Sequence, residues 1–430
     1  MFILAVVVCP VQGEEAVLKL TLDDAVRLVL QQNPQVQIAG INLVQSEKDK
    51  DISRSFLLPN VSGEVSETVR RSNFEAFTGR TIPGFPKEVG PFSVFQGGGS
   101  FSVPVFDLTL WRRWQAAKET VGGMELQVES VQEQITLLVV SQYLGCLREN
   151  ANVAAIRSRV GLAQALYQLA EDVQANGVGT RIDTLRARVT LQNEKQRLIV
   201  AETQLKTYIY TLAQLLNIGP QITIELVDTM EFTEVPETEE SEDLARAYSA
   251  RPEMQALDAR IRATERDAQS SRSSRLPSVH ADGFWAYQGL SVGNSIPVYE
   301  YRIRMSLPLF TGGRTGAEIA KMDLQKSRLV QEKTELRNRI ALEVRVARAA
   351  VASARGELEV ATLGLKLAEE EITQARDRFE AGVTNNIEVI TAQDALARAN
   401  DNQINALYHY NQARADLAHA RGRIVSLYSK

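Results

Sequence analysis

The chain has 430 residues, 44% of them hydrophobic and 23% charged, a folded composition that excludes a disordered chain. Its 48 basic and 53 acidic residues leave a net charge of −5, which excludes a nucleic-acid binder relying on a basic surface. Two cysteines and three histidines leave little for a zinc or iron–sulfur centre and disfavour a metalloenzyme and a disulfide-stapled domain.

Residues 2–8 (FILAVVV) are continuously apolar and are followed by Cys9, Pro10, Val11-Gln12-Gly13 and then two acids. This reads as a secretory signal over residues 1–13, cleaved after Gly13, with a buried N-terminal strand as the alternative. The basic n-region is missing, so the start lies upstream or the signal is atypical. Cys9 is a candidate for lipidation, although Val8 stands where a lipobox needs a small residue. No other stretch predicts a transmembrane helix. With the signal removed, Cys146 is left without a disulfide partner.

From there the chain repeats itself. Asn33-Pro34 opens a helical stretch ending at Leu58-Pro59, and Arg251-Pro252 opens another ending at Leu276-Pro277; the prolines are 25 residues apart in both. Ser102-Val103-Pro104-Val105-Phe106 is echoed by Ser306-Leu307-Pro308-Leu309-Phe310, and Gly177-Val178 by Gly382-Val383. Pro104 to Gly177 is 73 residues and Pro308 to Gly382 is 74. Three landmarks kept in order at such spacing predict an internal duplication: a first repeat over 14–225, an acidic linker over 226–245 and a second repeat over 246–430.

Each half reads helix, two strands, very long helix, break, helix. No proline interrupts 105–219 or follows Pro308. Trp114, Ala117, Val121, Met124, Val128, Val131, Ile135, Leu138 and Gln142 keep a three-then-four spacing, the seam of a helix packed along its length. Helices over about 110–176 and 314–381 would each be on the order of 100 Å long at roughly 1.5 Å per residue.

The proline-bounded segments follow strand periodicity instead. Tyr299, Tyr301, Ile303, Met305, Leu307 and Leu309 alternate with Glu300, Arg302 and Arg304. A soluble half-buried strand and a transmembrane β-strand share this signature; in the second case Tyr299, Tyr301, Ile303 and Met305 meet lipid while Glu300, Arg302 and Arg304 line a lumen. Val279–Gly289, with Ala281, Gly283, Trp285 and Tyr287 on one face, is its hairpin partner, and Val61–Arg71 and Phe92–Phe106 supply the first half's pair. Four strands cannot close a barrel, and open edges are not tolerated in lipid, so closure calls for oligomers; three copies give twelve strands.

These features together resemble the TolC-like outer-membrane efflux proteins over essentially the whole chain. The carrying residues are LTLDDAVRLVLQQNPQVQIA at 20–39, the two Leu-Pro turns, LPLFTGGRTGAEIA at 307–320 and the duplicated Gly-Val breaks. The resemblance implies a mixed α/β membrane protein. Its homotrimeric twelve-stranded transmembrane β-barrel, four strands per chain, continues into a long periplasmic α-helical barrel. It implies an exit duct in a Gram-negative-type outer membrane, serving a tripartite efflux pump or type I secretion system. The implied partners are a periplasmic adaptor (membrane fusion protein), an inner-membrane transporter and outer-membrane lipid, without nucleic acid. Gly177, Val178, Gly382 and Val383 would be the tips on which the adaptor docks. Asp183 and Glu388, six residues after each tip glycine, would constrict the periplasmic mouth. A second acid often accompanies the one matching Glu388, and here Thr391 stands in its place.

Residues 228–243 hold eight acids and no base and read as a solvated linker. No nucleophile–base arrangement, phosphate loop or metal-ligand cluster is legible, so neither catalysis nor a cofactor or metal is expected. A periplasmic coiled-coil adaptor is the alternative reading; it would share the helical hairpins but not the duplicated strands.

Overall fold

Capping side chains set where the helices begin. In the computed structural model, which describes residues 16–176, 179–381, 383 and 386–428, β1 (Ala16–Leu20) leads into α1 (Leu22–Gln32). The Thr21 hydroxyl accepts the Asp24 N–H at 3.2 Å. Asp23 and Asp24 place negative charge at the positive end of the helix. Asn33 closes α1, and its side chain accepts the Gln35 N–H at 2.8 Å. Pro34 then opens α2 (Pro34–Ser55), a first-turn position where its missing N–H costs nothing. Next come β2 (Asn60–Asn73), α3 (Phe74–Thr78), β3 (Glu88–Phe106), α4 (Leu108–Ala175), α5 (Arg181–Leu215) and β4 (Ile222–Leu226). Beyond the acidic stretch lie α6 (Glu240–Ala250), α7 (Pro252–Ser273), β5 (Ser278–Gly289), β6 (Ile296–Ser306), α8 (Arg314–Glu380), α9 (Asn386–Ala420) and α10 (Ile424–Tyr428). The signal-peptide reading and Cys9 fall outside the described residues.

The described residues form two compact units. One takes those up to Ile41, Gln127–Met254 and those from Glu335; the other takes Asn42–Leu126 and Gln255–Thr334. The serial division 14–225, 226–245 and 246–430 is therefore not a division into compact units, because each unit draws segments from both sides of the acidic stretch.

In the second unit four antiparallel strands form one sheet, ordered β2-β3-β5-β6. Gly98 lies opposite Ala286, and a Cβ there would collide with the Trp285 carbonyl and with Ala286, so glycine sets how closely β3 and β5 approach. The Gly97-Gly98-Gly99 run is thus close-packed strand. β6 stops at Ser306, leaving Leu307 and Leu309 outside the strand to which the alternation assigns them; Pro308 has no N–H to continue a ladder.

The first unit is built on contacts the sequence did not announce. β1 pairs in parallel with β4, Ala16 opposite Ile222, and the pair covers a core drawn from α1, α4, α5, α9 and α10. Tyr143 is fully buried there, with its hydroxyl shared between the Leu20 carbonyl at 2.9 Å and the Asp228 carboxylate at 2.8 Å. Burial, then Asp228, push its pKa far up. Burial likewise drives the Cys146 thiol up to about 12, which makes it an inert core residue. Each Leu, Ile or Val of this core, such as Leu20, Val26 or Ile424, taken fully out of water is worth about 1.5–3 kcal/mol.

The seam of α4 is only partly as its spacing suggests. Val121 and Ile135 are buried, but Leu138 is exposed and Val139, Val140 and Tyr143 carry the stripe onward. A straight helix drifts by about 20° per heptad against a strict seven-residue repeat.

The acidic stretch is not a solvated linker throughout. Asp228 also accepts the Leu22 N–H at 2.7 Å, and Asp243, fully buried, is ion-paired to both Arg348 and Arg421, the second at 2.8 Å. Burial works to raise the Asp243 pKa. Hydrogen bonds from Arg421, Thr238 and Arg348 outweigh it and hold the carboxyl below its ordinary value. Arg251, itself buried, pairs with Glu253 at 3.0 Å and with Glu343.

Candidate functional site: the two-faced sheet and the hairpin ends

Register turns four separately alternating strands into two chemically opposite faces. Val61, Phe101, Gly283 and Tyr301 lie in one cross-strand row, and Gly63, Gly99, Trp285 and Tyr299 in the next. Ala281 sits opposite Ile303 and Val279 opposite Met305, so all four residues expected to face lipid share one face with Val61, Val65, Phe101, Val103, Trp285 and Tyr287. The face is open: Ile303 is 79% exposed and Val65 77%. An exposed apolar surface of this extent needs an apolar partner in place of water. Phe101 and Tyr301 tilt together at 6.1 Å over Gly283, where a Cβ would come within 2.6 Å of one ring and 2.7 Å of the other. A β-bulge at Pro104/Phe106 then brings Phe106 opposite Val279, back onto the apolar face.

Glu300, Arg302 and Arg304 occupy the reverse face. Asn60, Ser102, Asp282 and Arg302 form one row there, with Ser102 Oγ donating to Asp282 at 2.8 Å, and Ser62 and Ser100 meet at 2.8 Å in the next row. Arg302 also pairs with Glu300 along its own strand. Asp282, Glu300 and Arg302 line, with Phe284 and the serines, a water-accessible depression of about 520 Å³. One face therefore suits hydrocarbon and the other suits water.

The second set of candidate residues belongs to the first unit, at the ends of the α4/α5 and α8/α9 hairpins. Gly177, Val178 and Gly382 lie outside the described residues. Val383 is exposed, and its N–H donates to the Arg378 carbonyl at 3.0 Å. Asp183 sits in the first turn of α5, where it accepts the Thr180 N–H at 3.4 Å and pairs with Arg186 at 3.8 Å. Glu388 sits in the first turn of α9 and reaches across the hairpin to Arg378 at 3.2 Å. Thr391 returns its hydroxyl to the Ile387 carbonyl at 2.9 Å.

A feature not singled out in the sequence lies beside these acids. Ile182, Leu185 and Val189 of α5 face Ile387 and Ile390 of α9 across a groove of about 540 Å³, edged by Arg186, Thr190 and Thr391. The signal was present, since Ile182, Leu185 and Val189 recur at helical spacing, but such a stripe also reads as core. Here Ile182, Leu185 and Val189 are half or more exposed. Among the described residues, no helix is long and apolar enough to cross a membrane, and no group of three His, Cys, Asp or Glu is placed to hold a metal.

Comparison with known proteins fits this geometry. The model of the outer membrane efflux protein family matches residues 25–218 and 244–423. The alkaline protease secretion protein AprF of Pseudomonas aeruginosa is 23% identical over 410 residues, covering 93% of this chain and 83% of the relative. The outer membrane protein TolC of Vibrio cholerae is 22% identical, covering 86% and 84%. Among solved structures, a Pseudomonas aeruginosa membrane protein superposes with a TM-score of 0.82 over 93% of both chains at 18% identity. The Campylobacter jejuni CmeC outer membrane channel gives 0.79 over 95% of this chain and 89% of its own at 17% identity. These matches, spanning both hairpins and the sheet, do not favour the adaptor alternative. The chain belongs to the outer membrane efflux protein family and acts as an export duct of the outer membrane.

Proposed function

We propose that three copies of this chain close a twelve-stranded barrel and form a passive exit duct. A periplasmic adaptor and an inner-membrane transporter supply it with substrate and energy. The observation that carries this is the two-faced sheet: four strands with an open apolar face, a polar reverse face, and outer edges at β2 and β6. Each unpaired backbone group on such an edge would cost several kcal/mol in hydrocarbon, so the edges have to meet those of other copies. The similar lengths of α4 and α8 (68 and 67 residues), and of α5 and α9 (35 each), support an internal duplication in which both hairpins serve one helical barrel. In detergent the intact protein should have the mass of a trimer by light scattering. A folded monomer would overturn the proposal.

Within this reading the tip residues Gly177, Val178, Gly382 and Val383, together with the α5/α9 groove, receive the adaptor. Asp183 and Glu388 form the periplasmic gate. Symmetry would repeat Glu388 as a ring of three carboxylates, each with Arg378 as a built-in counter-charge. Glu388→Gln should weaken block of single-channel conductance by divalent cations added on the periplasmic side, whereas Arg378→Gln should strengthen it by removing that counter-charge. Planar-bilayer recordings with unchanged block in both variants would remove Glu388 from the pore. Loss of Asp183 takes away a cap and the Arg186 pair instead, so it should raise conductance with less effect on block.

A further inference from the structure

The four joints between the sheet and helices α2, α4, α7 and α8 carry the same two kinds of side chain. At the α2–β2 joint Arg54 precedes the exposed Phe56, and at the β3–α4 joint Arg113 follows the exposed Trp111. At the α7–β5 joint Arg275 adjoins the exposed Leu276. At the β6–α8 joint Arg314 follows Leu309 and Phe310, which are 90% and 89% exposed. Antiparallel order brings all four joints to one end of the sheet.

Charge at this end is one-sided. Segments 54–60, 272–278 and 306–314 contain no acid. In 104–113 the lone acid, Asp107, is spent on accepting the Thr109 and Leu110 N–H groups at 2.9 and 3.1 Å and on facing His280 at 3.7 Å. Among the described residues Arg54, Arg113 and Arg275 form no salt bridge, and Arg113 lies within electrostatic reach of Asp267. Arg314 has only a long pair, 3.9 Å, to Glu318 on its own helix. Exposed apolar and aromatic side chains next to arginines with no close carboxylate partner match the boundary between acyl chains and phosphate headgroups.

We propose that the four joints form a collar that binds anionic phospholipid headgroups of the leaflet facing the helices. The apolar residues anchor at the level of the upper acyl chains, and the arginines take the phosphates. This rests on the reading of the sheet as membrane-spanning and adds a lipid preference to it.

The test uses the full-length protein in nanodiscs of phosphatidylcholine alone or mixed with phosphatidylglycerol, with retained lipid identified by native mass spectrometry. Wild type should retain phosphatidylglycerol in preference to phosphatidylcholine. Arg54→Gln and Arg275→Gln should each reduce that preference by about fivefold, the effect of one basic residue near an anionic surface, while Arg54→Lys and Arg275→Lys keep it. Protease protection of the strands reports insertion separately. Full insertion with no lipid preference in wild type, or an unchanged preference in the glutamine variants, would overturn the collar and leave the duct intact. Failure to insert in either lipid would overturn both. Loss of preference accompanied by loss of the trimer mass would make the joints a contact between copies and also overturn the collar.

Discussion

Asp243→Asn should destabilise the folded protein by about 3–5 kcal/mol, the cost of removing one partner from a buried ionic cluster. Arg348 and Arg421 would be left facing a neutral amide, with their side chains only 30% and 16% exposed to water. Arg421→Ala should cost less, since Arg348 and Thr238 still satisfy the carboxylate. Because the folded carboxyl titrates below its ordinary value, its contribution is complete above the unfolded pKa and is lost as pH falls through the lower folded one. The thermal midpoint of wild type should therefore drop more steeply than that of Asp243→Asn below about pH 4, where the unfolded aspartate begins to take up its proton. Parallel midpoint curves for the two proteins would show that the cluster is not a stabilising one.

Ile303→Arg should cost roughly 2–4 kcal/mol if the apolar face meets the middle of a bilayer. Ile303 is central in β6, opposite Ala281, and exposed. Arg302→Ser, one residue away on the reverse face, removes only a pair to Glu300 and should leave assembly almost unchanged. The measurement is the yield of membrane-inserted trimer for each variant and its resistance to heat in detergent. Equal tolerance of the two changes would mean that the sheet's two faces see the same solvent.

Much of this architecture can be read along the chain because its determinants are local. Proline marks the starts of α2 and α7, and its absence allows α4 and α8 to run on, over Leu108–Ala175 and Arg314–Glu380. Strict alternation at Tyr299–Met305 assigns each residue a face without knowledge of its neighbours. What was not legible depends on partners far away in sequence. β1 and β4 are five residues each, too short for a periodicity, and they recognise each other only in space. Asp243 looks like one acid in a solvated run because the arginines that bury it lie 105 and 178 residues further on. The α5/α9 groove is likewise a product of juxtaposition, since each apolar stripe alone is indistinguishable from core.

The parallel pairing of β1 with β4 also dictates an order of events during synthesis. Leu20, Val26 and Val29 emerge early, yet the strand and the Asp228 carboxylate that cover them arrive about 200 residues later, as the 206-residue span from Leu22 to Asp228 shows. The same core then waits for the C-terminal turn, whose Ile424 N–H meets Glu133 across 291 residues. A translocating chain must therefore carry an uncovered apolar segment for most of its passage, with folding of this unit held back by long-range closure. Truncation of the last turn should leave this core exposed to proteolysis.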